Sequence, residues 1–381
     1  MSMDLTDIRN KIDGIDDEIT ELFAKRMQLA KEVAEYKKAN NLPVLNSGRE
    51  REIISRVTGN VPEELSEYTK MLFSTMFDFS RGYQEELLFG EKEVTSVISD
   101  AIDKTPKLFP KRATVACQGI EGANSTSACE KLFGYPAITY TQTFEGVFLA
   151  VEKGLCKYGI LPIENSLHGS VTEVFDLMKQ YNFFITRSVK VKIEHTLLGK
   201  KNVDITKIKE VYSHPQALAQ CSEFLKTLNG VKVIECKNTA VAAEFVANSD
   251  RDDIAAIASE SCSELYGLHV IKTDIQNSDN NHTRFICISK ELEIYPGANK
   301  ISLMFTIPHK PGALYNIISK FSFLGVNLTK IESRPIKGKD FEFMFYIELD
   351  ADVNDPCVDK LLSSLKRSAD KLTFLGSYGE V

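Results

Sequence analysis

The chain has 381 residues, enough for two to four domains at roughly 100–200 residues each. Its 43% hydrophobic and 26% charged residues are those of an ordinary globular protein and exclude a disordered, collagen-like or coiled-coil chain. Lys plus Arg total 46 against 53 Asp plus Glu, a net charge of −7, which speaks against a nucleic-acid partner because such binding needs a basic face. The start Met-Ser-Met-Asp-Leu-Thr-Asp lacks the apolar block of a signal peptide, and no apolar run reaches membrane-spanning length. A cytoplasmic protein with no membrane partner is therefore expected. Eight scattered cysteines without a C-x-x-C spacing fit reduced structural thiols. The histidines show no metal-ligand spacing, and no G-x-G-x-x-G or G-K-[ST] loop occurs, so neither a metal nor an organic cofactor is expected.

Residues 1–92 carry helical patterns only. From Leu5 to Ala39 no proline interrupts the chain, and apolar residues fall at Ile8, Ile12, Ile15, Ile19 and Leu22, then Leu29 and Val33. The same steps place Arg26 and Lys37 in that apolar seam. A second helix follows Pro43, with Asn46, Glu50, Ile53 and Val57 on one face and Arg49 beside Glu50. A third begins near Pro62, and its stripe Phe73, Phe77, Ser80, Gln84, Leu87 is again broken by polar residues. A seam cation can mark a helix end or an ion pair. Four such coincidences on three helices point instead to a shared partner, because unpaired buried charge costs several kcal/mol or more. Glu50 alone cannot neutralise Arg9, Arg26, Lys37 and Arg49; a small anion could. The first helix would be roughly 50 Å long at 1.5 Å per residue, too long for two shorter helices to cover, so an intertwined dimer is expected.

Ile8-Arg9-x-x-Ile12-Asp13, Arg26-x-x-Leu29-Ala30-x-x-Val33, Lys37, Pro43-Val44, Arg49-Glu50-Arg51 and Ser80-x-x-x-Gln84 resemble the all-helical chorismate mutases. The resemblance implies that Arg9, Arg26, Lys37 and Arg49 bind the carboxylates and ether oxygen of chorismate. Glu50, Ser80 and Gln84 would complete the pocket. Asn46 stands where the family often has Asp, which could alter affinity but leaves the cations intact. A Claisen rearrangement needs no nucleophile and no proton transfer, and a cage of fixed donors suits it.

Residues 93–111, with Pro106 and Pro110 and little apolar periodicity, read as a linker. From 112 to 291 apolar runs at 114–117, 158–163, 208–213, 231–236 and 254–259 alternate with polar loops and helices. This is a βαβ signature, with ligands expected at the carboxyl ends of the strands and anions at helix N-termini. Leu161-Pro-Ile-Glu-Asn-Ser166, Ser213-His-Pro-Gln-Ala-Leu218 and Asn281-His-Thr-Arg-Phe285 are similar to the prephenate dehydratase family. The resemblance implies a two-lobed α/β unit, like a periplasmic binding protein, with prephenate in the cleft. It makes Thr283 the catalytic donor to the departing ring oxygen, with His282 as the rival donor. Asn165, Ser166, Ser213, Thr239, Arg284 and Phe285 would bind substrate; Arg284 could equally pair with an acid of its own lobe.

Residues 298–381 follow a turn-rich junction at Tyr295-Pro-Gly-Ala-Asn-Lys300 and read strand, helix, strand, a turn at 337–340, strand, helix, strand, a ferredoxin-like α+β order. Pro311-Gly-Ala-Leu314 and Asn327-Leu-Thr-Lys-Ile-Glu-Ser-Arg-Pro335 resemble the amino-acid-binding ACT domain of the same dehydratases. The resemblance implies a phenylalanine effector site at Gly312, Ala313, Leu314, Asn327, Glu332, Ser333 and Arg334. The expected chain is thus multidomain: an all-α mutase, a two-lobed α/β dehydratase and an ACT unit. It would convert chorismate through prephenate to phenylpyruvate under feedback control, as a homodimer or higher homo-oligomer. The alternatives are an arogenate-preferring dehydratase and a non-catalytic ligand-sensing regulator on the same scaffold.

Overall fold

The computed structural model describes residues 4–381 apart from 90, 91, 202, 337 and 339–341. Among these residues no helix is long and apolar enough to cross a membrane. The N-terminal part is three helices: α1 (Leu5–Ala39), α2 (Ser47–Thr58) and α3 (Glu63–Phe89). Asp4 and Asn46 cap α1 and α2, accepting from the amides of Thr6 and Arg49. Only the C-terminal half of α1 packs within the protomer, burying Ala30 and Ala34. The seam Ile8, Ile12, Ile15, Ile19, Leu22 and Leu29 stays 37–63% exposed, so the most apolar stripe of the helix is uncovered in one copy.

The segment expected as a linker is a helix over most of its length. α4 (Lys92–Lys104) presents Ile98 and Ala101 to the C-terminal core, where they meet Ile317, Leu361 and Leu365. Its short apolar stripe finds its partner more than 200 residues downstream, which no local reading could supply.

The middle unit has two lobes. The first holds β1 (Arg112–Gln118), α5 (Asn124–Leu132), β2 (Tyr135–Thr141), α6 (Phe144–Glu152), β3 (Tyr158–Asn165), β4 (Gly169–Ser170), α7 (Thr172–Met178) and β5 (Phe184–Lys192). The second holds β6 (Thr196–Gly199), β7 (Glu210–Ser213), α8 (Pro215–Gln220), α9 (Ser222–Thr227), β8 (Lys232–Glu235), α10 (Thr239–Asn248), β9 (Ile254–Ala258), α11 (Ser261–Tyr266) and β10 (His269–Lys272). The chain then returns to the first lobe as β11 (His282–Ser289), between β3 and β5. The five strands read from apolar runs are β1, β3, β7, β8 and β9; β2, β4, β5, β6, β10 and β11 lie outside those runs.

The C-terminal unit is β12 (Lys300–Thr306), α12 (Ala313–Phe323), β13 (Asn327–Pro335), β14 (Phe343–Asp350), α13 (Pro356–Ser368) and β15 (Lys371–Glu380). Its antiparallel order β13-β14-β12-β15 is that of a ferredoxin-like fold. The expected turn at 337–340 lies outside the described residues except for Gly338. The junction before it is no free tether. β15 pairs in parallel with β5 through Gly379 and Glu380, joining both units in one ten-stranded sheet. Met344, Tyr346, Leu375 and Tyr378 enter the core of the first lobe. Gly376, at φ 146°, permits the approach, since a Cβ there would collide with the Ile185 carbonyl.

Candidate active sites

In the helical unit the polar interruptions of the seam meet one another. Arg26 Nη1 donates to Ser80 Oγ at 2.6 Å, and its guanidinium lies 5.7 Å from the centre of the Phe77 ring. Lys37 Nζ donates to Gln84 Oε1 at 3.1 Å and to the Val44 carbonyl. Ser80 and Gln84 are buried. Burial pushes the Arg26 and Lys37 pKa values down, with Glu50 partly opposing it at Lys37. Glu50 is held by Arg81, which also binds Asp78. Burial raises the pKa of Asp78, against the pull of Arg81. Arg81 follows Ser80 directly, yet no periodicity singled it out. Arg9 is exposed, and Arg49 reaches outward to Glu52 at 3.1 Å. One protomer therefore assembles Arg26, Lys37, Glu50, Ser80 and Gln84 and leaves Arg9 and Arg49 outside; Asn46 is spent on its cap.

In the middle unit the strand pairing sets Thr283 opposite Asn165. Asn165 Oδ1 accepts from the backbone amides of Leu167 and His168 at 3.0 and 3.1 Å, which fixes the orientation of the side-chain amide. Asn165 Nδ2 then donates to Thr283 Oγ1 at 3.0 Å and to Asn281 Oδ1 at 2.9 Å. Asn281 Nδ2 donates onward to Gln220 Oε1 at 3.0 Å, and His195 Nε2 meets the same oxygen at 2.7 Å. Because that oxygen only accepts, His195 carries its proton on Nε2. Burial lowers the His195 pKa and keeps the ring neutral. Asn165 and Asn281 thus donate along the network, and Thr283 Oγ1, which accepts from Asn165, donates to no group among the described residues. A cavity of about 220 Å³ lies against this network, lined by His168, Gln220, Gln276 and Asn281 among others. Asn281 stood in the motif that pointed to Thr283; Gln220 and His195 had no sequence signal.

Four expected substrate contacts have other partners. Arg284, next to Thr283, points to the opposite face of β11. There its Nη1 donates to both carboxylate oxygens of Glu348 at 2.7 Å and Nη2 donates to Glu164 at 3.1 Å. Phe285 is buried in the first-lobe core beside Val115, Val189 and Cys287. Ser213 is fully buried and donates to the Ile257 carbonyl at 2.6 Å. Ser166 clasps two loops, donating to the Asn280 carbonyl and accepting from the His282 amide. Thr239 opens α10 and stays half-buried, while Asn238 caps that helix by accepting from the Val241 amide at 2.7 Å.

The expected effector residues fall in two groups. Gly312, at φ 81°, caps α12, with Ala313 buried and Leu314 half-buried behind it. Pro311 and Gly312 border a cavity of about 690 Å³ shared with α2 and α3. Glu332 and Arg334 face the dehydratase lobe: Ser170 Oγ donates to Glu332 at 2.7 Å, and Arg334 grips Asp176 at 2.8 and 3.0 Å. These bonds hold the Asp176 pKa down to about 2. Asn327 and Ser333 are exposed.

Residues 8–85 match the Chorismate mutase type II family and residues 115–293 the Prephenate dehydratase family. A protein of Aquifex aeolicus named bifunctional chorismate mutase/prephenate dehydratase is 34% identical over 377 residues, covering 98% of each chain. The arogenate dehydratase/prephenate dehydratase 2 of Arabidopsis thaliana is 38% identical, covering 70% of this chain and 73% of its own. Among solved structures, the prephenate dehydratase of Arthrobacter aurescens in complex with L-Phe is 30% identical with a TM-score of 0.65, covering 70% of this chain and 89% of that one. The fold and its two polar sites define a two-activity enzyme built on a helical unit and a two-lobed unit. The chain belongs to the bifunctional chorismate mutase/prephenate dehydratase family.

Proposed function

We propose that the chain rearranges chorismate to prephenate in its helical unit and converts prephenate to phenylpyruvate in its two-lobed unit, under feedback control by phenylalanine. In the first step Arg26 and Lys37 hold the substrate's carboxylate and the developing charge on the ether oxygen, while Ser80 and Gln84 orient those cations. The half-exposed Glu50 lies at the same pocket. Arg9 and Arg49 complete the cage when a second copy covers the α1 seam. The exposed Ile8, Ile12, Ile15 and Ile19 support that homodimer, because so long an apolar stripe is not left to water.

In the second step the ring carboxylate leaves as carbon dioxide and its bonding electrons enter the ring. Aromatisation expels the C4 oxygen with its bonding pair as hydroxide, and the Thr283 hydroxyl donates a hydrogen bond to that oxygen as it departs. The observation that carries this reading is the fixed polarity of the Asn165 amide, which makes Thr283 an acceptor from the protein and leaves its hydrogen for the substrate. Asn165 is thus a positioning residue for Thr283.

Residues 298–381 are read as an ACT unit, consistent with their ferredoxin-like order. Asn327 and Glu332 lie five residues apart on β13, roughly 17 Å at 3.3 Å per residue, more than one phenylalanine spans. Asn327 and Glu332 can therefore serve one ligand only across two copies, which again requires a homo-oligomer. The mutase unit in the same chain delivers prephenate, so prephenate rather than arogenate is the expected substrate. Incubation with chorismate should yield phenylpyruvate without added metal or cofactor, and phenylalanine should suppress it. Accumulation of prephenate alone would refute the two-step reading, and preferential turnover of arogenate would reassign the second step.

A further inference from the structure

Thr283 and Asn165 are register partners on β11 and β3, and the next pair along the two strands is Arg284 and Glu164. Side chains alternate across a strand, so the residues that carry the chemistry project to one face and their neighbours to the other. Both neighbours are held from the C-terminal unit. Glu348 of β14 takes Arg284 through both oxygens, and Lys330 of β13 donates to Glu164 at 2.8 Å and to Ser170 at 2.9 Å. Ser170 in turn donates to Glu332. Glu348 is 1% exposed and also accepts from Thr329 at 2.8 Å and Tyr378 at 3.0 Å. Burial opposes its ionisation, yet Arg284, Thr329 and Lys300 outweigh that and hold its carboxyl below the ordinary range. The network is charged, and it is buried at Arg284 and Glu348 and half-buried at Glu164, so it has few ways to yield at its inner end without breaking.

The β3–β11 ladder itself keeps Thr283 opposite Asn165. The contacts behind it add a second grip, and one end of that grip is the strand that carries Glu332 and Arg334. We propose that Lys330 and Glu348 are the coupling residues of this protein: effector occupancy displaces β13 and β14, and Glu164 and Arg284 carry that displacement to the catalytic pair. A displacement of about 1 Å at a reacting group can cost on the order of 10²-fold in rate, so a small shift suffices. This inference rests on the reading of the C-terminal unit as a phenylalanine sensor.

The test uses the full chain with Lys330→Met, Lys330→Arg and Glu348→Gln. For each, dehydratase turnover of supplied prephenate is measured against phenylalanine concentration, and phenylalanine binding is measured by calorimetry. Mutase turnover reports folding. Lys330→Met should bind phenylalanine within about threefold of the parent, yet at saturating phenylalanine retain at least about tenfold more dehydratase turnover than the parent does. Basal kcat and KM should stay within about threefold, because the ladder remains. Lys330→Arg should restore inhibition, since it keeps the charge. Glu348→Gln should behave as Lys330→Met; should that buried substitution fail to fold, the Lys330 pair alone decides. Lys330→Met that binds phenylalanine and is inhibited to the parent's extent at saturation overturns the coupling. A parent chain that neither binds nor responds to phenylalanine overturns the sensor reading, and the inference with it.

Discussion

Asn165→Asp replaces one atom and should nearly extinguish the dehydratase. In the native site two backbone amides, of Leu167 and His168, point at Asn165 Oδ1, so the nitrogen faces Thr283 and Asn281 at 3.0 and 2.9 Å. With a carboxylate, the atom facing Thr283 becomes an acceptor and takes the Thr283 hydrogen, which is then lost to the departing oxygen. The same atom faces Asn281 Oδ1, acceptor against acceptor, so Asn281 must turn its amide and give up its donation to Gln220. Loss of one preorganised donor lowers kcat by about 10²–10³-fold, about 3–4 kcal/mol of transition-state stabilisation. KM should move far less, since the lost interaction strengthens only as the oxygen leaves. The assay is phenylpyruvate formation from supplied prephenate, with mutase turnover as the folding control. A protonated carboxyl can donate again, so residual turnover of the variant should rise as pH falls through its carboxyl range while the parent's does not. A variant with parental kcat, or one whose turnover is flat on acidification, would refute the assigned polarity.

Other outcomes follow from the same geometry. Arg26→Ala and Lys37→Ala should each cut mutase turnover by more than about 10²-fold and spare dehydratase activity on supplied prephenate; loss of both activities would signal misfolding instead. Thr283→Ser should retain much of the dehydratase turnover and Thr283→Ala little, with KM nearly unchanged; an Ala variant that keeps its kcat and only raises KM would make Thr283 a substrate anchor. His195 is buried and neutral, with its pKa lowered, so below the ordinary value of about 6.5 the unfolded chain takes up a proton that the folded chain refuses. Its contribution to stability is present above that pH and lost on acidification, by at most about 1.4 kcal/mol per pH unit. Urea midpoints at pH 7.5 and 5.5 should therefore differ by less in His195→Asn than in the parent, and an unchanged difference would exclude His195 as the source.

How much of this was legible in the sequence depends on whether a residue's partner lies on the same local element. Arg26 and Lys37 were legible because a cation inside an apolar 3.6-residue repeat is visible without any tertiary knowledge. Ser80 and Gln84 were legible for the same reason, and the structure brings the two pairs together. The length of α1 was enough to suggest a second copy, and its apolar seam is exposed in one copy. Arg284 was ambiguous in principle. Its face is set by β11, a strand that apolar runs did not reveal, and its partner Glu348 lies 64 residues onward in another unit. Phe285 and Ser213 failed for a related reason: they sit in motifs that carry function, yet the motif residues alternate between the pocket and the sheet that supports it. The helix α4 and the union of β15 with β5 were hidden because each is held by contacts across more than 190 residues. The division of the chain into a C-terminal unit and a catalytic unit is therefore clean in its sequence motifs and absent from its packing. The Glu-Ser-Arg-Pro string, which reads as a ligand site, spends Glu332 and Arg334 on Ser170 and Asp176 of the catalytic lobe. A residue that holds the lobe in one state and an effector in another is what a coupled equilibrium requires, since a ligand shifts two states only by interacting with them differently.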